Sequence, residues 1–67
     1  MPYTPEQLTE ALRQIDSTIH KLRQTLLTLE AKPEPSRYRS QITLARRRIE
    51  AFTIASELLR RERDNAQ

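Results

Sequence analysis

The sequence predicts an all-α fold, a two-helix antiparallel hairpin with heptad, coiled-coil-like packing. Three observations predict it. Apolar residues recur at 4-3-4-3-4-3 spacing in two separate stretches, which is the period of a helix face and not of a strand. Two prolines, Pro33 and Pro35, stand between the stretches. The chain also has no glycine and no valine, so the turn chemistry and the side chains of a sheet are missing.

Helix 1 is expected over about residues 5–31. Thr4 is a good N-cap, Pro5 suits the first helical position, and Gln7 completes a T-x-x-Q capping box. Glu6 and Glu10 put negative charge at the positive end of the helix dipole. The seam then reads Leu8, Leu12, Ile15, Ile19, Leu22, Leu26 and Leu29, with a polar outer face of Arg13, Gln14, Ser17, Lys21, Gln24 and Thr28. Residues 32–35 form the connection, because proline removes a backbone donor and pushes the residue before it out of the helical region. A connection this short makes the helices antiparallel neighbours. Helix 2 is expected over about residues 36–64, with Tyr38, Ile42, Ala45, Ile49, Phe52 and Leu59 on its seam and Ser56 as the one polar fault. Arg60, Arg61 and Arg63 lie in the last turns, where cations suit the negative dipole end, and Asn65-Ala66-Gln67 should fray. At 1.5 Å per residue both helices run to roughly 40 Å and can zip together along their length as one domain.

Composition removes several function classes. Without cysteine there are no disulfides and no thiolate metal sites. Without glycine there are no phosphate-binding loops, dinucleotide fingerprints or EF-hand loops. No apolar run approaches the ~18 residues that span a bilayer. Met1-Pro2-Tyr3-Thr4-Pro5-Glu6 lacks the basic and apolar regions of a signal peptide, so a cytoplasmic, non-membrane protein is expected. The sole histidine, His20, falls on the outer face of helix 1, and Glu50 and Glu57 lie one heptad apart, about 10 Å along the axis. Nothing there converges as catalysis requires, so no enzyme, metal or cofactor is expected.

The informative feature is a second apolar stripe on helix 2. Leu44, Ala51, Ala55 and Leu58, with Ile54 beside them, are displaced from the seam by about 110° at 100° per residue. One partner helix cannot cover both faces, and helix 1 offers only its seam plus Leu27 on its outer side. The stripe is therefore the expected partner-binding surface. A helical protein and a second copy of the chain, in a four-helix bundle, both remain open as the occupant. Arg39, Arg46, Arg47, Arg60 and Arg61, with Arg37 and Arg48 nearby, form a basic flank within a net charge of +3. Such a flank either binds phosphate or is a solvated face whose arginine stems cover the seam and pair with Asp16 or Glu30. It has no aromatic stacking residues, so nucleic acid is kept only as an alternative partner. Tyr38 is expected to close the end of the core with its hydroxyl in water.

The segment Pro35-Ser36-Arg37-Tyr38, followed by Thr43-Leu44, Ile49-Glu50-Ala51 and an aliphatic run through Ile54, Leu58 and Leu59, carries a family resemblance. So does Ile15 to Leu26 with its His20-Lys21-Leu22-Arg23. Together they resemble the small E-type co-chaperone of needle subunits in bacterial type III secretion systems. That resemblance implies a hairpin that pairs with a helical-repeat chaperone and helps keep the needle subunit monomeric in the cytoplasm. Arg46-Arg47-Arg48-Ile49 is also similar to the paired-arginine segment of the ribosomal large-subunit L-twenty-nine type of hairpin. That second resemblance would imply binding to ribosomal RNA, and a self-assembling structural bundle is the third alternative.

Overall fold

The structure, a computed structural model, describes residues 2–65. Two long helices, α1 (Pro5–Glu30) and α2 (Arg39–Asn65), pack side by side and antiparallel, with no strand among the described residues. The molecule is a rod of 49 × 14 × 14 Å.

The start of α1 follows the sequence logic. Thr4 is extended, at φ −78° and ψ 157°. Its Oγ1 accepts from the Gln7 backbone N–H at 3.1 Å, while Gln7 Oε1 accepts from the Thr4 N–H at 2.9 Å. Two donors that the first turn cannot satisfy internally are thus capped reciprocally. Thr4→Ala is expected to lower stability by about 1 kcal/mol, read as a lower midpoint in thermal denaturation. One turn on, Arg13 and Gln14 both donate to Glu10. The Arg13 hydrogen bond, then that of Gln14, holds the Glu10 carboxyl below its ordinary range, and Glu10 raises Arg13 in turn. Any stability from this exposed pair is present above the ordinary carboxylate range and fades as pH falls through the lowered value.

The two helices are joined without a left-handed residue. A chain with no glycine has no easy C-cap of that kind, and Ala31 stays right-handed at φ −84° and ψ −4°. Its N–H bonds back to Leu27 O, and that of Lys32 to Leu29 O. Termination falls to the prolines. Glu34, preceding Pro35, is held away from the helical region at φ −129° and ψ 78°. The expected connection of 32–35 followed by α-helix needs one correction. Pro35–Tyr38 form a 3-10 turn, in which Arg37 N–H bonds Glu34 O and Arg39 N–H bonds Ser36 O, and α-helical bonding begins only at Arg39. Helix 1 ends at Glu30 and helix 2 at Asn65, each one residue from the expected limit. The expected fraying of Ala66 and Gln67 lies outside the described residues, and Asn65 is helical.

The core is the double seam. Leu8, Leu12, Ile19, Leu29 and Ala45 are buried, and Ile15, Leu22, Leu26, Tyr38, Ile42, Ile49, Phe52 and Leu59 are half-buried. Among the described residues no side chain is completely enclosed, as follows from a body only two helices thick. Tyr38 closes the loop end with the Lys32 ammonium 6.0 Å from its ring centroid. Arg63, four residues past Leu59, is half-buried and carries the seam spacing one step further.

Candidate partner-binding face

Heptad packing leaves a hairpin with two flanks, and this sequence fills them differently. On the first flank, acids on α1 face arginines on α2. Arg60 donates to Asp16 Oδ2 at 2.8 Å, and Arg46 pairs with Glu30. Two heptads back along α1, from Glu30 to Asp16, match two heptads forward along α2, from Arg46 to Arg60. Both pairs therefore belong to one unslipped antiparallel register. Ser56, the polar fault, lies against this flank. It is 2% exposed, and its hydroxyl donates to Asp16 Oδ1 at 3.0 Å. Asp16 accepts from Ser56 and Arg60 through different oxygens, so the buried hydroxyl is satisfied.

The second flank carries Ala11, Thr18 and Thr25 on α1, and Gln41, Arg48, Ala55 and Glu62 on α2. Among the described residues no ion pair crosses it. One recess opens there between Leu22, Thr25 and Leu29 of α1 and Leu44, Ala45 and Arg48 of α2. A second is lined by Tyr3, Leu8, Ala11 and Leu59.

The apolar stripe of α2 borders this unpaired flank. Leu44 is 47% exposed, Ile54 53% and Leu58 54%, with Ala51 exposed and Ala55 half-buried between them. The five residues run along α2 from Leu44 in its second turn to Leu58, with Arg47 and Arg48 between Leu44 and the cluster of Ala51, Ile54, Ala55 and Leu58. The stripe lies on the opposite side of α2 from Arg46 and Arg60. Leu27, though exposed, sits alone on α1 away from this line.

The arginines divide into two groups. Arg46 and Arg60 are bound to carboxylates of α1, the pairing weighed in the sequence against phosphate binding. Arg39, Arg47, Arg48 and Arg61 have no acidic partner among the described residues, and Arg47 and Arg48 interrupt the stripe between Leu44 and Ala51. The remaining pairs, Arg13 with Glu10, Arg37 with Glu34 and Arg63 with Asp64, are local.

Two features escaped the sequence reading. The first is Tyr3, 58% exposed, which shares a recess with Leu8. Its place just before the N-cap, with an apolar residue at the fourth helical position, is the signature of a hydrophobic staple and could have revealed it. The second is a polar recess of about 300 Å³ lined by Asp16, His20, Arg23, Thr53, Ser56, Glu57 and Arg60, which brings His20 and Glu57, set apart in the sequence, to one place. It gathers a serine, a histidine and an aspartate, but the Ser56 hydroxyl is buried and already donates to Asp16, so it is not presented as a nucleophile. Among the described residues no three of His, Cys, Asp and Glu are placed to hold a metal ion, and no helix is long and apolar enough to cross a membrane. No protein-family model matches the chain, and no curated protein or solved structure is significantly similar to it.

Proposed function

We propose that this chain is a non-enzymatic, cytoplasmic protein-binding subunit, a co-chaperone that joins a helical-repeat chaperone in holding a type III secretion needle subunit monomeric. The observation that carries the protein-binding part is the line Leu44–Ala51–Ile54–Ala55–Leu58, exposed except at half-buried Ala55, beside a flank with no ion pairs across it among the described residues. Apolar area of this kind gains roughly 25 cal/mol per Å² when a partner removes it from water. A slender hairpin with so little enclosed core gains more from such cover than a larger domain would. The resemblance around Pro35–Tyr38, Thr43-Leu44 and Ile49–Ala51 supports the choice of family. The ribosomal alternative draws on arginine, and two of those arginines, Arg46 and Arg60, are already neutralised by Glu30 and Asp16.

Co-expression with the products of the neighbouring genes tests the reading. The chain is expected to co-purify with a small helical protein, and Leu44→Asp with Leu58→Asp is expected to abolish that recovery while the hairpin stays helical. Recovery of the chain alone, or of a complex indifferent to both substitutions, would overturn it. Co-sedimentation with ribosomal subunits that weakens steeply with salt would favour the RNA reading instead.

A further inference from the structure

We propose that, when no other protein covers it, the apolar stripe of α2 is closed by a second copy of this chain, packed antiparallel along α2 about a two-fold axis at the level of Ile54 and Ala55. This goes beyond the proposed function and does not rest on it, since it needs only the exposed stripe and the charges beside it.

Arg48, Glu50, Arg61 and Glu62 border the stripe, and none has an ion-pair partner among the described residues. Their order along α2 is antisymmetric. Arg48 lies before the stripe's centre and Glu62 the same distance after Ala55, seven residues each way. Glu50 precedes the centre and Arg61 follows it on the opposite edge. Reversing a second α2 against the first brings Arg48 level with Glu62 of the other copy, and Glu50 within one residue of the level of Arg61. The two-fold axis repeats each pairing.

The apolar residues have the same antisymmetry. Ala51 lies four residues before Ala55 and Leu58 three after it, so the small side chain of one copy comes within one residue of the level of the large one of the other. Ala55 meets itself on the axis, where two small residues permit the close approach of two helices, with Ile54 beside it. Leu44 to Asn65 are all within the overlap, about 33 Å of helix at 1.5 Å per residue. A parallel pair would instead set Arg48 against Arg48, Glu62 against Glu62 and Leu58 against Leu58, which like-charge repulsion and crowding disfavour. The α1 helix borders the stripe on its Ala55 side, where Ala55 is half-buried, and leaves Leu44, Ala51, Ile54 and Leu58 exposed, so a second copy can approach from that side.

The interface is one helix wide, so association should be weak, with protomers at low concentration and dimers at high concentration. Since the same stripe serves a different protein under the proposed function, dimer and heterocomplex would exclude each other. The copy would then shield the stripe only until that partner arrives.

Sedimentation of the full chain from low micromolar to near-millimolar concentration tests this. The mass is expected to rise from one protomer to two. Arg48→Glu and Glu62→Arg should each weaken the dimer roughly tenfold, because two attractive pairs become two repulsive ones, while the double variant restores it. Both positions are exposed, and circular dichroism of the variants should match the native spectrum. Because the chain has no cysteine, Ala55→Cys supplies an independent readout. It should form a disulfide-linked dimer under mild oxidation, and Leu44→Cys should not. A monomer at every concentration, a double variant as weak as the single ones, or cross-linking through Leu44→Cys but not Ala55→Cys would each overturn the proposal. A monomer that still co-purifies with a helical protein would do so while leaving the proposed function standing. A charge-dependent dimer that captures no helical protein would support the self-pairing and remove the proposed function.

Discussion

Ile19→Asp is expected to leave most of the chain unfolded at room temperature, whereas Leu58→Asp should keep the helicity of the native protein. Both replace a large aliphatic residue of a long helix by a carboxylate, and the difference lies in what surrounds them. Ile19 sits in the middle of the α1 seam and is buried against α2. Its replacement loses apolar burial, leaves a cavity and puts a charge where no partner waits, together about 4 kcal/mol or more. A domain of this size has little more stability than that to lose. Leu58, more than half exposed, forfeits only a fraction of a side chain's contacts within one hairpin. Far-UV circular dichroism and thermal melts distinguish the two. They should be run at low micromolar concentration, where coupling to dimerisation contributes least. Collapse of Leu58→Asp as complete as that of Ile19→Asp would mean that the stripe belongs to the hairpin's own core.

Why the fold could be read from the residues, and the site only in part, follows from what each depends on. The seam is a local property. Spacing along one helix fixes which residues share a face, and Leu8 through Leu29 and Tyr38 through Leu59 needed no knowledge of the other helix. The break was legible for the same reason, since Pro33 and Pro35 act on their immediate neighbours. The hydrogen-bond pattern of the first turn after the break was not, because an α and a 3-10 turn starting at Pro35 differ in no residue that the local sequence dictates. The exposed stripe was visible as surplus hydrophobicity on one helix. Its position relative to the ion pairs depends on register across the two helices, which the connection geometry sets and local spacing leaves free. The basic flank shows the limit most clearly. As a sequence, Arg39, Arg46, Arg47, Arg60 and Arg61 form one group. Once Glu30 and Asp16 are placed opposite, Arg46 and Arg60 become part of the hairpin, while Arg47 and Arg61 are left along the edge of the stripe.

The same dependence on register makes Ser56 more than a defect in the seam. A polar residue at an apolar position ordinarily weakens packing, and an unsatisfied buried hydroxyl costs a further ~1–3 kcal/mol. Here Asp16 accepts from Ser56 through one oxygen and from Arg60 through the other, and both partners lie some forty residues away along the chain. A slip of α2 along α1 by one heptad would take Asp16 away from both donors while leaving apolar residues opposite apolar residues, so the seam alone resists such a slip poorly. Asp16→Ala is therefore expected to destabilise the hairpin by ~1–3 kcal/mol, since it strands a buried hydroxyl and frees Arg60 from its counter-ion. For a domain of this size, each kcal/mol corresponds to a fall of ~4–8 °C in melting temperature. Ser56→Ala should cost less, about 1 kcal/mol or under, because Asp16 keeps Arg60 and its access to water. The double variant should then be only slightly worse than Asp16→Ala, giving a coupling energy of ~0.5–1 kcal/mol between two residues that no local feature of the sequence connects. Simple additivity of the two single losses in thermal or urea unfolding would show that Ser56 and Asp16 act separately, and that the register is held by the seam and the Arg46–Glu30 pair alone.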